Sequence, residues 1–285
     1  MATLSSLKKE YDFNVELASV IDVMKGIAAS QFQSLQRRRE RFKKFLDSFS
    51  SFFQLIDFSA VAHPFGRLAT ERVGIIMVTS DEGFMGGLNT HVINAALAHR
   101  RTEAELIIVG DRGAAYLKGL GEQFTYFPGV TDENKYELAI KLRDYIMQQS
   151  KRAKFGMVLL SYPLPVSFTF QKVEVIKLLP CTELFEKKED LTSGGEKVIV
   201  ESHLEDIIEH LVAEWISEKL YEVFEDSKLS EFAARAINLE QSYQNVSQSR
   251  KIARYRFFQA KHTAIDRSMR ETFASQLLRK KDAVT

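Results

Sequence analysis

Apolar residues recur every three or four positions along the first part of the chain, from residue 3 to about residue 58. This stretch contains no proline and only one glycine, Gly26, so little in its sequence would interrupt a helix. Such a helix would be about 80 Å long, which exceeds the width of a compact domain core. Its apolar stripe therefore needs a partner helix, and the pattern predicts a coiled coil.

The pattern changes after His63-Pro64-Phe65-Gly66, which is predicted to end the helix. Short apolar runs then alternate with amphipathic segments. Strands are predicted at 72–80, 106–110, 123–127 and 155–162, an alternating segment at 166–179, and helices at 90–99, 114–120 and 134–151. This alternation indicates βαβ units and a largely parallel sheet, with the alternating segment as an antiparallel edge.

A second long helix is predicted for the C-terminal part of the chain. A polar loop over 186–197 and a short extended piece over 198–200 precede it. Ser202 and Glu205 have the spacing of a capping box, and neither proline nor glycine follows in the rest of the sequence. Apolar residues become sparse only over 244–251.

Together these patterns predict an α/β fold in three parts: an N-terminal helix over 1–60, a central Rossmann-like α/β domain over 70–200, and a C-terminal helix over 202–282. The two end helices pair as a long antiparallel coiled coil if the middle is a compact insertion between them.

The net charge is only +1, but the charges are segregated along the C-terminal helix. Residues 201–226 contain nine acidic residues and one basic residue, whereas residues 247–281 contain ten basic residues and two acidic ones. Such asymmetry is typical either of solvated helix faces or of two halves that meet different partners. The single cysteine, Cys181, excludes an intrachain disulfide. We expect neither a secretory signal nor a membrane-spanning segment, because no apolar run approaches about 18 residues.

The densest motif, Ser80-Asp81-Glu82-Gly83-Phe84-Met85-Gly86-Gly87-Leu88-Asn89-Thr90, follows a predicted strand and opens a helix. Phosphates often bind at this position, but the spacing matches neither the P-loop nor the dinucleotide fingerprint, and two adjacent acidic residues would repel phosphate. A tight turn is favoured, with Asn89 or Thr90 as the N-cap of the helix. Its candidate residues are Asp81, Gly83, Gly86, Gly87 and Asn89.

The sequence contains no recognisable catalytic, cofactor or metal constellation. The six histidines are scattered, the carboxylates lie in surface-like runs, and there is no nucleophile elbow. A basic run over 37–44 lacks a nucleic-acid-binding module around it, so a helix face that meets an acidic partner is favoured. These features favour a mechanical or binding role over an enzymatic one.

Four stretches resemble the gamma subunit of F-type ATP synthases, and the fourth, over 258–269, is a weak match. Residues 24–30 are similar to the family's Met-x-x-Val-Ala-Ala-Ser, and residues 80–89 to its Ser-Asp-Arg-Gly-Leu-Cys-Gly-Gly-Leu-Asn. Residues 220–221, followed by 225–235, are similar to its Glu-Ser-x-x-Ser-Glu-His-Ala-Ala-Arg. Because the order and spacing agree along nearly the whole chain, the sequence is identified as a divergent member of this family, from a variant ATPase operon.

The resemblance implies a non-catalytic rotor stalk without cofactors. In the family, the end helices form a shaft inside a hexamer of alpha and beta subunits, and the α/β domain is a foot that sits with epsilon on the membrane ring of c subunits. It further implies a peripheral location on the cytoplasmic face of a bacterial or archaeal inner membrane, with no nucleic-acid partner. The coupling ion, proton or sodium, is left open.

By the same resemblance, one set of side chains is expected to contact the hexamer: Met24, Ile27, Ala28, Arg254, Lys261, Ile265, Met269 and Phe273. Lys261 stands where the family carries an arginine, and Asp22 places a negative charge where a positive one is usual. The basic segment from Arg250 would face acidic loops of the beta subunits. Two alternatives remain: a coiled-coil scaffold outside an ATPase, and a Rossmann-like nucleotide-binding module.

Overall fold

A computed structural model describes residues 3–50, 65, 70–100, 103–181 and 203–282. The chain divides into two compact units, each of which contains part of both long helices. One unit comprises Met1–Ile27 with Asn238–Thr285, and the other comprises Ala28–Ile237.

Five helices and five strands are described. The helices are α1 (Leu4–Ser50), α2 (Leu88–Leu97), α3 (Asp111–Gly119), α4 (Lys135–Lys151) and α5 (Leu204–Asp282). The strands are β1 (Val73–Val78), β2 (Ala104–Val109), β3 (Phe124–Phe127), β4 (Met157–Pro165) and β5 (Gln171–Leu179).

The five strands form one sheet in the order β3-β2-β1-β4-β5. The first four strands are parallel, with Ile75 opposite both Leu106 and Leu159, and β5 runs antiparallel to β4. The predicted parallel sheet with an antiparallel edge is therefore confirmed. The register of the β4–β5 pair shifts at Val158/Leu159.

Strand β1 is buried on both faces, as expected for the centre of a parallel sheet. Val73, Ile75 and Met77 pack in a cluster with apolar residues of α2 and α3. Ile76 and Val78 belong to a second cluster on the other face, to which α4 and α5 contribute. Helix α5 thus completes the core of the sheet through its first turns.

Within the first unit, α1 and α5 run antiparallel. Tyr11 stacks on Phe257 with 6.4 Å between ring centroids, and further along α1 the Lys25 Nζ atom lies 3.0 Å from Glu240. Within the second unit, Phe32 and Leu35 of α1 pack with Leu229 and Ala233 of α5. The predicted antiparallel pairing of the end helices is confirmed.

Several predicted boundaries differ from the structure: α3 begins at Asp111 rather than at 114, and β4 ends at Pro165 rather than at 162. Helix α2 begins at Leu88 rather than at Thr90, and β5 begins at Gln171 rather than at 166. Residues 166–170 instead form the β4–β5 turn, where the Val166 and Ser167 amides donate to the Phe170 carbonyl. Alternation continues through this turn, which is why the pattern did not separate it from the strand.

Several predictions lie outside the described residues. They concern the end of the first helix over 51–60, and the segment over 63–66 that was predicted to end it, apart from Phe65. They also concern the polar loop over 186–197, the extended piece over 198–200 and the Ser202 cap.

Candidate functional site

The turn between β1 and α2 is held together by its two ends. The Ser80 amide donates to Asn89 Oδ1 at 3.2 Å, and Asn89 Nδ2 donates to Ser80 Oγ at 2.8 Å. Between them, Phe84 and Gly86 adopt left-handed backbone conformations, with φ of 68° and 60°. The prediction of a tight turn is borne out by these contacts, which position its remaining groups.

The predicted N-cap of α2 is wrong. Gly87 occupies the cap position and no side chain caps the helix, so Asn89 and Thr90 lie in its first turn. The Asn89 amide group instead bonds Ser80 across the turn. Gly87 is packed closely, because a Cβ atom there would lie 3.3 Å from the His91 ring.

Asp81 serves the neighbouring helix rather than its own. Its Oδ1 atom accepts a hydrogen bond of 2.8 Å from the Asp111 amide in the first turn of α3. A Cβ atom on Gly129 would overlap this carboxylate, so a glycine leaves the room that Asp81 needs. The Asp111 side chain in turn accepts a hydrogen bond from Tyr126, which raises the pKa of that hydroxyl to about 12. The motif therefore ties β1 to α3.

Arg235 of α5 joins the same turn to the long helix. Its Nε atom donates to the Gly83 carbonyl at 3.3 Å, and its guanidinium lies 2.8 Å from Glu82 and 2.5 Å from Glu231. Beside it, Met85 and Leu88 pack against Ala234. The turn is thus a joint between the sheet and α5. Gly83 also packs closely, since a Cβ atom there would lie 3.3 Å from Arg112.

Four acidic residues in the acidic half of α5 pair with bases of other helices of this chain. Lys135, Arg143 and Lys151 of α4 pair with Glu225, Glu214 and Glu209, and Arg39 of α1 pairs with Asp226. Arg38, in the basic run, lies 2.8 Å from Asp132. Arg38 and Arg39 of that run thus pair with acidic groups of this chain, and the contact of the run with an acidic partner stays a prediction.

Burial shifts the pKa of two carboxyl groups in this half of α5. Burial raises the pKa of Asp226 to about 6, although the nearby Arg39 opposes the shift. Burial together with the charge of Glu214 raises the pKa of Glu218 to about 7. Burial lowers the pKa of Lys135, but its hydrogen bond to Glu225 and the nearby negative charges outweigh this effect and raise it.

The basic half of α5 presents a different surface. All side chains from Lys261 to Gln276 are exposed. Ile265, Met269 and Phe273 are spaced by four residues, which places them on one helical face; Met269 is 66% and Phe273 68% exposed. Arg254, like Lys261, is exposed. This stretch combines an apolar stripe with positive charge.

The other predicted contact residues lie on α1 and differ in exposure. Ile27 is exposed, Met24 is half-buried, and Ala28 is buried, with 1% of its surface exposed. Nearby, Lys25 lies 2.8 Å from Asp22 as well as 3.0 Å from Glu240. The negative charge of Asp22 is therefore partly balanced within α1.

Sequence reasoning did not single out Arg39, Asp226 and Arg235 as a set. Each was part of a noted segment, but the partners lie far apart along the chain, and only the fold brings them together. Over the described ranges, no group of three or more histidine, cysteine or acidic side chains could hold a metal ion. None of the described helices is long and apolar enough to cross a membrane.

Comparison with known proteins places this architecture in a family. A family model described as ATP synthase matches residues 3–274. The ATP synthase gamma chain of Pelotomaculum thermopropionicum is 23% identical over 254 residues, which cover 87% of this chain and 88% of the relative. That of Rubrobacter xylanophilus is 24% identical over 259 residues, with the same coverage.

Solved structures have the same fold. A chain in the mitochondrial ATP synthase of Euglena gracilis (OSCP/F1/c-ring, rotational state 3) matches 96% of this chain with a TM-score of 0.67 at 15% identity, over 93% of its own length. A chain in the central stalk/c-ring structure of the Tetrahymena thermophila mitochondrial enzyme matches 78% of this chain with a TM-score of 0.60 at 19% identity, over 99% of its own length. The chain belongs to the family of ATP synthase gamma chains.

Proposed function

We propose that this chain is the central rotor stalk of a rotary ATP synthase or ATPase, in which it couples ion-driven rotation of a membrane ring to ATP synthesis or hydrolysis. The observation that carries the proposal is the antiparallel pair of end helices, one of which is also built into the core of the sheet. Such a joint lets the helices turn together with the α/β domain. The family membership of the chain supports the same function.

In this proposal residues 1–60 and 202–282 form the shaft, and residues 70–200 form the foot. The shaft contacts a hexamer of alpha and beta subunits through Met24, Ile27, Arg254, Lys261, Ile265, Met269 and Phe273. Ala28, which is buried, would act there by allowing the helices to approach closely. The exposed apolar stripe of α5 suits a bearing, because apolar contacts are not directional and permit rotation.

The chain itself is proposed to be non-catalytic, with ATP chemistry confined to the hexamer. The foot would bind the epsilon subunit and the ring of c subunits, and the complex would lie peripherally on the cytoplasmic face of a bacterial or archaeal inner membrane. This arrangement needs no membrane-spanning segment in the chain.

Reconstitution tests the proposal directly. Mixing the chain with its cognate alpha and beta subunits should give a hexamer that holds one copy and whose ATP hydrolysis depends on it. Adding epsilon and the membrane sector in vesicles should then give ATP-driven ion transport. Equal assembly and equal hydrolysis without the chain would contradict the proposal.

The nucleotide-binding alternative has less support from the geometry. The Asp81 carboxylate is held at this turn by the Asp111 amide, and its negative charge there would repel a phosphate. Calorimetry with ATP and NAD tests this alternative: binding in the micromolar range that is lost on substitution of Gly86 or Gly87 would restore it.

A further inference from the structure

Adjacent acidic residues of α5, Glu225 and Asp226, are both buried and both belong to ion pairs with other elements. Glu225 pairs with Lys135 of α4, and both side chains are largely buried. Arg39 Nε of α1 lies 2.6 Å from Asp226 Oδ1, and the Asp226 side chain is only 3% exposed. The contact is therefore a close ion pair with a buried carboxylate.

A second, more exposed route links the same three helices. Arg38, which precedes Arg39 in α1, lies 2.8 Å from Asp132 just before α4, and Lys135 contacts both Asp132 and Glu225. Two consecutive arginines of α1 therefore reach two consecutive acids of α5, one directly and one through α4. Of the two acidic residues, Asp226 on the direct route is the more deeply buried.

The surroundings of Asp226 are otherwise unfavourable to its charge. Glu222 and Glu225 on the same helix repel it. The pKa of the Tyr162 hydroxyl on β4 is raised mainly by burial, and the charge of Asp226 raises it further. Glu174 of β5 acts on Tyr162 in the same direction. Arg39 is the basic group that compensates. Apolar packing of the same volume often stabilises a fold as well as a buried ion pair does, so this pair is a candidate for a positioning role.

We propose that the Arg39–Asp226 pair is the clasp that fixes the rotational register of α1 against α5, and that rotation of the foot reaches both helices of the shaft through it. The apolar contacts beside it, among Phe32, Leu35, Leu229 and Ala233, resist separation of the helices, but their attraction is non-directional and fixes the register less strictly than a charged pair does. A charged pair at fixed positions does resist slip, as polar core residues do in coiled coils. Arg39 and Asp226 are positioning residues in this scheme, which rests on the proposed rotor function.

The test uses the complete complex in vesicles and measures ion transport per ATP hydrolysed. The variants Asp226→Asn and Arg39→Gln should each lower this ratio at least fivefold at pH 7.5, and the double variant should lower it no further, because both remove one contact. The matched controls are Arg72→Gln and Glu103→Gln, which break an exposed pair with the same Nε donor at 2.7 Å and should leave the ratio within twofold of the wild type.

Chemical denaturation of the isolated full chain separates positioning from folding. Asp226→Asn should be at least as stable as the wild type at pH 7.5, because it removes a charge that burial disfavours, while transport per ATP falls. If the ratio stays within twofold of the wild type in both single variants, or if the two losses add in the double variant, the clasp is overturned. If the wild-type chain itself supports no transport, the proposed rotor function fails instead, so the two outcomes are distinguishable.

Discussion

At the scale of single residues, Asp226 gives a prediction about stability and pH. Its pKa rises from an ordinary value of 3.8 to about 6 on folding, so the folded chain binds this proton more tightly than the unfolded chain. The free energy of unfolding contributed by this group therefore falls as pH rises from about 4 to about 6, by about 3 kcal/mol. Asp226→Asn should lack this fall, and urea denaturation at several pH values measures the difference. Parallel pH profiles for the two proteins would contradict it.

Gly129 gives a second prediction at this scale. Replacing it by alanine forces the Asp81 carboxylate away from the Asp111 amide, and loss of such a cap destabilises a helix by about 1–2 kcal/mol. Gly119 near the end of α3 is the matched control, because a Cβ atom there meets nothing within 4 Å. Urea denaturation should show that Gly129→Ala lowers the free energy of unfolding and that Gly119→Ala does not.

At the scale of elements, local pattern was sufficient for the helices and strands and insufficient for their joints. Periodicity of 3.6 residues located α1 and α5, and short apolar runs located the buried strands. The pairing of Arg39 with Asp226, or of Arg235 with Gly83, joins positions that are remote in sequence, and no local period encodes it. The cap of α2 was misassigned for a related reason: Asn89 had a second partner, Ser80, that the three-dimensional turn supplies.

The exposed apolar stripe near the end of α5 gives a prediction about hexamer binding. The triple variant Ile265→Ser, Met269→Ser, Phe273→Ser removes the exposed apolar stripe, so hexamer binding should weaken at least tenfold, which corresponds to about 1.4 kcal/mol. The free energy of unfolding of the chain should change by less than about 0.5 kcal/mol, because these side chains are exposed.

Arg267→Ser, Glu271→Ser, Ala274→Ser is the matched control on the opposite face. It breaks only an exposed pair and keeps the net charge. Titration of hexamer with labelled chain gives both affinities. A larger loss in the control than in the stripe variant would refute the assignment of the face.

At the scale of the whole molecule, the net charge is only +1, but the two halves of α5 differ in which groups balance their charge. Four acids of the acidic half pair with Arg39, Lys135, Arg143 and Lys151 within the chain. The basic half carries ten basic residues against two acidic ones over 247–281. Its Arg267–Glu271 pair is exposed and balances little of this charge. Unbalanced positive charge of this kind attracts an acidic partner over a distance and accelerates encounter more than it tightens the final complex.

The association rate with the hexamer should therefore depend strongly on salt. Raising ionic strength from about 0.05 M to about 0.5 M should slow association at least tenfold, because screening shortens the range of the attraction. The variant Arg254→Gln, Lys261→Gln should show a shallower dependence. Lys118→Gln, Lys141→Gln removes the same charge from exposed positions on α3 and α4 and should keep the wild-type slope. Stopped-flow fluorescence measures the rates, and equal slopes for the two variants would mean that total charge rather than the basic half of α5 steers assembly.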